Sequence, residues 1–173
     1  MKRMRYFLLA LSLFFIISVS TQAEPLAMFK LQSTSFSDRK DIPVLYTCDG
    51  RDVSPQLSWN GAPMKTQSYV LICADPDAPA GTWYHWVIYN IPVSVLNVAE
   101  GSISVGVLGK NSWGRAQYNG PCPPASSTHH YHFMLYALDS QLSLPSGADA
   151  NAVIKAMQGH ILEQAMIMGI FGH

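Results

Sequence analysis

A mainly β domain is the fold class this sequence predicts, and three observations predict it. Short apolar stretches alternate with clusters of Pro, Gly, Asn and Asp, which is the punctuation of antiparallel strands rather than of βαβ units. At least one stretch, residues 83–91, is apolar or aromatic on both alternating faces, as a strand buried on two sides must be. Helical periodicity appears only after residue 148.

The 173 residues suffice for one domain with a real core and are too few for two ordinary ones. The first stretch is not counted in that core. Lys2, Arg3 and Arg5 precede an apolar run over 6–19, and Thr21-Gln22-Ala23 offers small residues where a signal peptidase reads. This is the pattern of a secretory signal peptide, 1–23, ahead of a domain over 24–173. An uncleaved anchor is the competing reading, but a run of about 14 residues falls short of the roughly 20 that span a bilayer as a helix. Mature protein without a transmembrane span, exported to the periplasm or secreted, is therefore expected.

Losing Lys2, Arg3 and Arg5 turns the formal charge from zero to −3. No basic stripe remains, so a nucleic-acid partner or a general anionic surface is excluded on electrostatic grounds, while a local pocket for a single anionic group is not. Cys48 and Cys122 sit in turn-like sequence and Cys73 in an apolar strand. Export permits one disulfide, and Cys48 with Cys122 is the expected pair, though the other pairings stay open. Three thiols at this spacing do not make a zinc site.

Taken in order, strands are expected over 27–36, 43–47, 68–74, 83–91 and 131–138. In 83–91, His85, Val87 and Tyr89 share one face and Tyr84, Trp86 and Ile88 the other. Residues 149–157 carry Ala150, Val153, Ile154 and Met157 on one helical stripe. After Gly159, residues 160–168 predict a second helix with Ile161, Leu162, Ala165 and Met166 inward. Met157, Met166 and Met168 read as adaptable core packing, with a soft-metal or partner surface as the lesser alternative.

Two segments depart from an ordinary β domain. Asp75-Pro76-Asp77-Ala78-Pro79 is stiffened by its prolines and leads through Gly81 into Trp83-Tyr84-His85-Trp86. Its carboxylates either cap the turn or face a site near His85. The second segment is Tyr118-Asn119-Gly120-Pro121-Cys122-Pro123-Pro124, a fixed loop, followed by His129-His130-Tyr131-His132-Phe133. As a strand this puts His129, Tyr131 and Phe133 on one face and His130, His132 and Met134 on the other. One imidazole and one phenol on the same face suit an anion. His132 reads as a core or interface residue. Zinc held by His130 and His132 with His85, Asp75 or Asp77 is geometrically open but not favoured. A hydrolase is disfavoured because no Gly-x-Ser-x-Gly elbow is present and Ser126 and Ser127 lie in a loop.

The same segments resemble the signatures of the phosphatidylethanolamine-binding (Raf kinase inhibitor-like) family, in its bacterial branch. Asp75-Pro-Asp-Ala-Pro79, Trp83-Tyr-His-Trp86 and Tyr89-Asn-Ile-Pro92 are similar to the first signature. Tyr118-Asn-Gly-Pro-Cys-Pro-Pro124, His129-His-Tyr131 and Leu135-Tyr-Ala-Leu138 are similar to the second. Tyr46-Thr-Cys-Asp-Gly50, Val53-Ser-Pro-Gln-Leu-Ser-Trp59 and Gly159-His-Ile-Leu162 extend the likeness over roughly 29–171. The resemblance implies a β-sandwich around a central antiparallel sheet with short C-terminal helices, and a binding protein rather than an enzyme, without cofactor or metal. It implies a pocket for a phosphate or phosphoethanolamine-type headgroup formed by Asp75, His85, Gly120, Pro124, His129 and Tyr131, with Pro79 and Tyr118 at its rim. Imidazole, phenol and backbone N–H groups would donate to the anion. A protein target, as for a protease or kinase inhibitor, a homodimer, and a metal-dependent or lyase-like enzyme are the alternatives. The sequence departs from the family at His130, where an arginine is usual, and in its closing Ile170-Phe171-Gly172-His173.

Overall fold

The computed structural model describes residues 28–102 and 105–173, so the expected signal peptide and residue 27 lie outside the described residues. In chain order the elements are β1 Lys30–Gln32, β2 Lys40–Asp41, a 3-10 turn Val44–Tyr46, β3 Leu57–Asn60, β4 Ser68–Asp75, β5 Trp83–Pro92, β6 Asn97–Val98, β7 Val107–Leu108, β8 Thr128–Leu138, α1 Ala150–Met157 and β9 Ile161–Gly172. They form a three-stranded sheet, β1-β3-β6, and a six-stranded sheet, β2-β9-β8-β4-β5-β7. Every pairing of the larger sheet is antiparallel except β2 with β9. Among the described residues no helix is long and apolar enough to cross a membrane.

The fold is a sandwich with a second, smaller core. Between the sheets, Leu31, Leu57 and Trp59 of the small sheet meet Tyr69, Leu71, Trp86, Ile88, Phe133 and Ile167 of the large one. On the other face of the large sheet, Val70, Ile72, Val87 and Tyr89 are covered by Ala150, Val153 and Met157 of α1. Strand β4 is buried along its whole length because both faces are covered. Asp149 starts α1 by accepting the Ala152 N–H on its side chain at 2.8 Å.

Three expectations need correction. Residues 43–47 turn instead of extending, because the Pro43 and Val44 carbonyls accept the N–H groups of Tyr46 and Thr47 at 2.9 and 3.0 Å. The first strand is shorter than 27–36, because Ser33 and Thr34 leave the ladder to bond Gln56. The largest difference is β9, a strand where 160–168 predicts a helix. Gly159, at φ 82, ends the helical run. From there the chain pairs with β8, from Leu138 opposite Ile161 to Thr128 opposite Gly172. Its buried residues then recur every second position, at Ala165, Ile167, Gly169 and Phe171. Gly169 keeps this face close to the sheet, since a Cβ there would collide with the Ile42 side chain. The second C-terminal helix is absent, and α1 is the single helix of the C-terminal region. Met166 and Met168 are thereby turned to the outer face of β9, while Met157 alone of the three lies in a core.

Candidate functional site

The two unusual segments meet where β4 ends and β5 and β8 begin. Asp75 closes β4 and is 3% exposed. One carboxylate oxygen accepts the Asp77 N–H at 2.8 Å and so caps the proline-stiffened loop. The other accepts Nδ1–H of His129 at 2.7 Å. The capping and orienting roles expected as alternatives for Asp75 therefore coexist, one on each oxygen. Asp77 does not cap the turn. It reaches across to β8, where it accepts both the backbone N–H and the Nδ1–H of His130, at 2.8 and 2.7 Å. These bonds from His130 hold its carboxyl below the usual carboxylate range.

His85 arrives by a backbone irregularity. Ala74 pairs with Tyr84 and Cys73 with Trp86, leaving His85 as the unopposed extra residue of a β-bulge. The bulge breaks the expected alternation. Tyr84, Val87 and Tyr89 pack on the helix-covered side, whereas the His85 ring meets Tyr131 edge-on at 5.2 Å on the sandwich side. Nδ1 of His85 lies 2.8 Å from the Asn119 carbonyl and 3.0 Å from that of Gly120. Carbonyls only accept, so Nδ1 carries the proton and Nε2 is left with its lone pair. Burial pushes the pKa of His85 down and keeps the ring neutral.

Asp75, His85 and His129 open onto one pocket of about 310 Å³, walled by Pro79 and Pro124 and by the indoles of Trp83 and Trp113. This volume suits a headgroup-sized molecule. The indoles meet edge-on at 5.3 Å, and Trp113 also stands 5.1 Å from His85. The Pro123-Pro124 wall is tied down by a disulfide joining Cys122 to Cys48, whose Cα atoms are 5.4 Å apart. Cys73 is buried in the sheet and unpaired.

A sequence model of the phosphatidylethanolamine-binding protein family matches residues 32–172. The chain belongs to that family. It is also similar to a UPF0098 protein of Methanothermobacter thermautotrophicus, 46% identical over 82% of this chain and 97% of the relative. Among solved structures, one from Chlamydia trachomatis, described as a phosphatidylethanolamine-binding protein homologue, superposes with a TM-score of 0.80. It is 40% identical over 84% of this chain and 97% of its own. Escherichia coli YbcL, described as a new member of the mammalian family, gives a TM-score of 0.79 at 27% identity, covering 85% and 99%. A binding-protein role is the family's general property, and membership brings this chain that much.

Not every residue that the family signatures point to reaches the pocket. Asp75, Pro79, His85, Pro124 and His129 line it, while Gly120, Tyr118 and Tyr131 stand behind that wall. Gly120 donates its N–H to Asp52 and offers its carbonyl to His85, so its amide is not available to a ligand. A Cβ at Gly120 would run into the Tyr46 carbonyl, which is why a glycine backs the histidine. Tyr118 is buried and donates to the Tyr46 carbonyl at 2.7 Å, so it braces the loop and does not form a rim. The Tyr131 hydroxyl is buried without a hydrogen bond of normal geometry, and burial raises its pKa far above the ordinary phenol value.

Sequence reasoning missed Trp113 and the residue that positions it. Asn111 accepts the N–H groups of Trp113 and Arg115, each at 3.0 Å, and donates to Gln117 and Asn119. It thereby links the tryptophan loop to the side chain of Asn119, whose backbone carbonyl holds His85. The available signal was a lone indole in the polar turn Asn111-Ser112-Trp113-Gly114, where nothing apolar adjoins it in sequence.

Proposed function

We propose that the protein, released from a signal peptide over 1–23, is an exported binding protein whose domain over 24–173 takes a small anionic group in this pocket. Phosphate or a phosphoethanolamine-type headgroup is the ligand class. The observation that carries the reading is the buried Asp75–His129 pair on the pocket wall. Both oxygens of Asp75 accept hydrogen bonds from the protein, which lessens the carboxylate's repulsion of an incoming anion. The remaining nitrogen of His129 lies 3.4 Å from Ser127 Oγ. That hydroxyl gives its own proton to the Pro124 carbonyl. With Nδ1 given to Asp75, an N–H at Nε2 would be the group through which His129 donates to an anion. Trp83, Trp113 and the two prolines exclude water around it and strengthen the attraction.

His85 plays the opposite part. With Nδ1–H spent on two carbonyls, its Nε2 accepts, and the groups it can accept from are the hydroxyl of a monoprotonated phosphate or an ammonium. The site therefore combines one donor and one acceptor, matching a singly protonated phosphate or a zwitterionic headgroup better than a fully charged anion. Chemistry is not part of the proposal. Ser127 cannot be activated by His129 while its proton is held by Pro124.

The test is a titration of the purified protein with phosphate and with phosphoethanolamine at pH 6 and 7.5, following the ring signals of His85 and His129 by NMR. Saturable shifts, stronger at pH 6 and lost in His129→Ala, are expected. Shifts that persist in that variant, or none at millimolar ligand, would remove the anion from the proposal.

A further inference from the structure

The outer face of β8 and β9 carries a group of side chains that the pocket does not use. The register sets His132 opposite Met168 and Met134 opposite Met166, with all four side chains on the face away from the sandwich core. Directly opposed side chains in such a ladder have Cβ atoms about 5 Å apart. Neighbours on one face of one strand are about 7 Å apart. One imidazole and three thioethers thus stand at the corners of a small rectangle. Helix α1 covers the β4 and β5 side of this face, so Met134 is partly buried against the second core while Met166 is 50% exposed.

Two details separate this group from ordinary surface residues. The other five histidines all have partners: His85 bonds carbonyls, and His129, His130, His160 and His173 pair with Asp75, Asp77, Asp139 and Asp49. Among the described residues the His132 ring has no hydrogen-bond partner, and it is the one that faces methionines. Met134 already uses its sulfur as a lone-pair donor, accepting the Tyr136 hydroxyl at 3.3 Å. Each methionine has three rotatable bonds and a polarisable sulfur, so the thioethers can converge on one point above the sheet.

We propose that His132, Met134, Met166 and Met168 form a binding site for a soft monovalent cation, copper(I) or silver(I). Thioether and imidazole donors without a carboxylate select such ions over calcium, magnesium or manganese, which require hard oxygen ligands. Donors without formal negative charge also match a single positive charge. The site is separate from the anion pocket, which lies at the end of the sheet on its other face.

Silver(I) nitrate is the probe, added to the purified protein carrying 13C-methyl methionine. The methyl signals of Met134, Met166 and Met168 should shift together with the His132 ring and stop moving at one equivalent. Met64 and Met28, which are 97% and 73% exposed, serve as unclustered thioethers and should not respond before that point. The double variant M166L/M168L should lose the one-equivalent response, H132Q should weaken it, and both should keep the native His85 and His129 signals. Copper(I) taken from a colorimetric chelator should follow the same order. Met64 shifting in step with Met166, or one-equivalent binding retained by M166L/M168L, would overturn the site.

Discussion

Asp75 with His129 and Asp77 with His130 are two carboxylate–imidazole pairs made by the same two strand ends, at the same 2.7 Å. Their surroundings differ. The side chains of the first pair are 8% and 5% exposed, counting His129 first, and those of the second 46% and 40%. In the open pair, water solvates both side chains whether or not they meet, and salt screens what attraction is left. In the buried pair, each partner is the other's replacement for water, and removing one strands the other. Bond length therefore says little about what a pair does. Asp77 fastens the 75–79 loop to β8, while Asp75 fixes the orientation of the histidine that faces the pocket.

The contrast can be broken in four ways, beginning with the largest effect. Asp75→Ala should lose about 3–5 kcal/mol in denaturant unfolding, the cost of leaving a buried partner unpaired; a loss no larger than that of Asp77→Ala would erase the distinction. Gly120→Ala, behind the buried side, should lose about 1–3 kcal/mol, because its Cβ meets the Tyr46 carbonyl and the loop holding His85 must shift. Its His85 ring signal should move even at pH 7.5.

Acid should then separate the two regions. The folded-state pKa of His85 is depressed below its ordinary 6.5, chiefly by burial. The unfolded chain therefore takes up the proton first, so the stability due to neutral His85 is complete above pH 6.5 and is lost as pH falls through the depressed value. Asp77 is also depressed, from 3.8, by His130. Its contribution is lost only as pH falls below that figure. A melting-temperature profile should accordingly begin its decline in the His85 window, and His85→Gln should flatten that part alone. The smallest effect is Asp77→Ala itself, below about 1 kcal/mol at neutral pH and smaller still in high salt.

The strands over 68–74 and 83–91 were legible because burial on two faces leaves near-continuous apolar sequence with Pro or Gly near each end, and 131–138 because every residue but His132 is apolar or aromatic. The helix over 149–157 was legible from its stripe and its Asp149 cap. Strand β9 was not. Ile161, Leu162, Ala165 and Met166 satisfy a helical stripe, and Leu, Glu, Gln, Ala and Met are good helix formers. What decides the conformation is the open edge of β8, some thirty residues earlier, and no local pattern contains that edge. The site was read unevenly for a similar reason. Asp75, His85 and His129 stand in motifs whose loops are stiff, so their neighbourhood could be read directly. The bulge at His85 and the approach of Trp113 depend on pairing and on a loop held by Asn111, and alternation along one strand reports neither.

The parallel pairing of β2 with β9 has a kinetic consequence. Lys40 and Asp41 lie beside Gly169 and Ile170, and the Asp38 carboxylate accepts the Met168 N–H across 130 residues of chain. Until residues 161–172 are in place, β8 exposes an unpaired edge and β2 has no strand to join, so both ends of the domain must be present before the large sheet can close. Contacts of such long range make folding slow and leave a sticky intermediate. A chain held short of that closure keeps the β8 edge open to other strands, and one that has completed β9 does not.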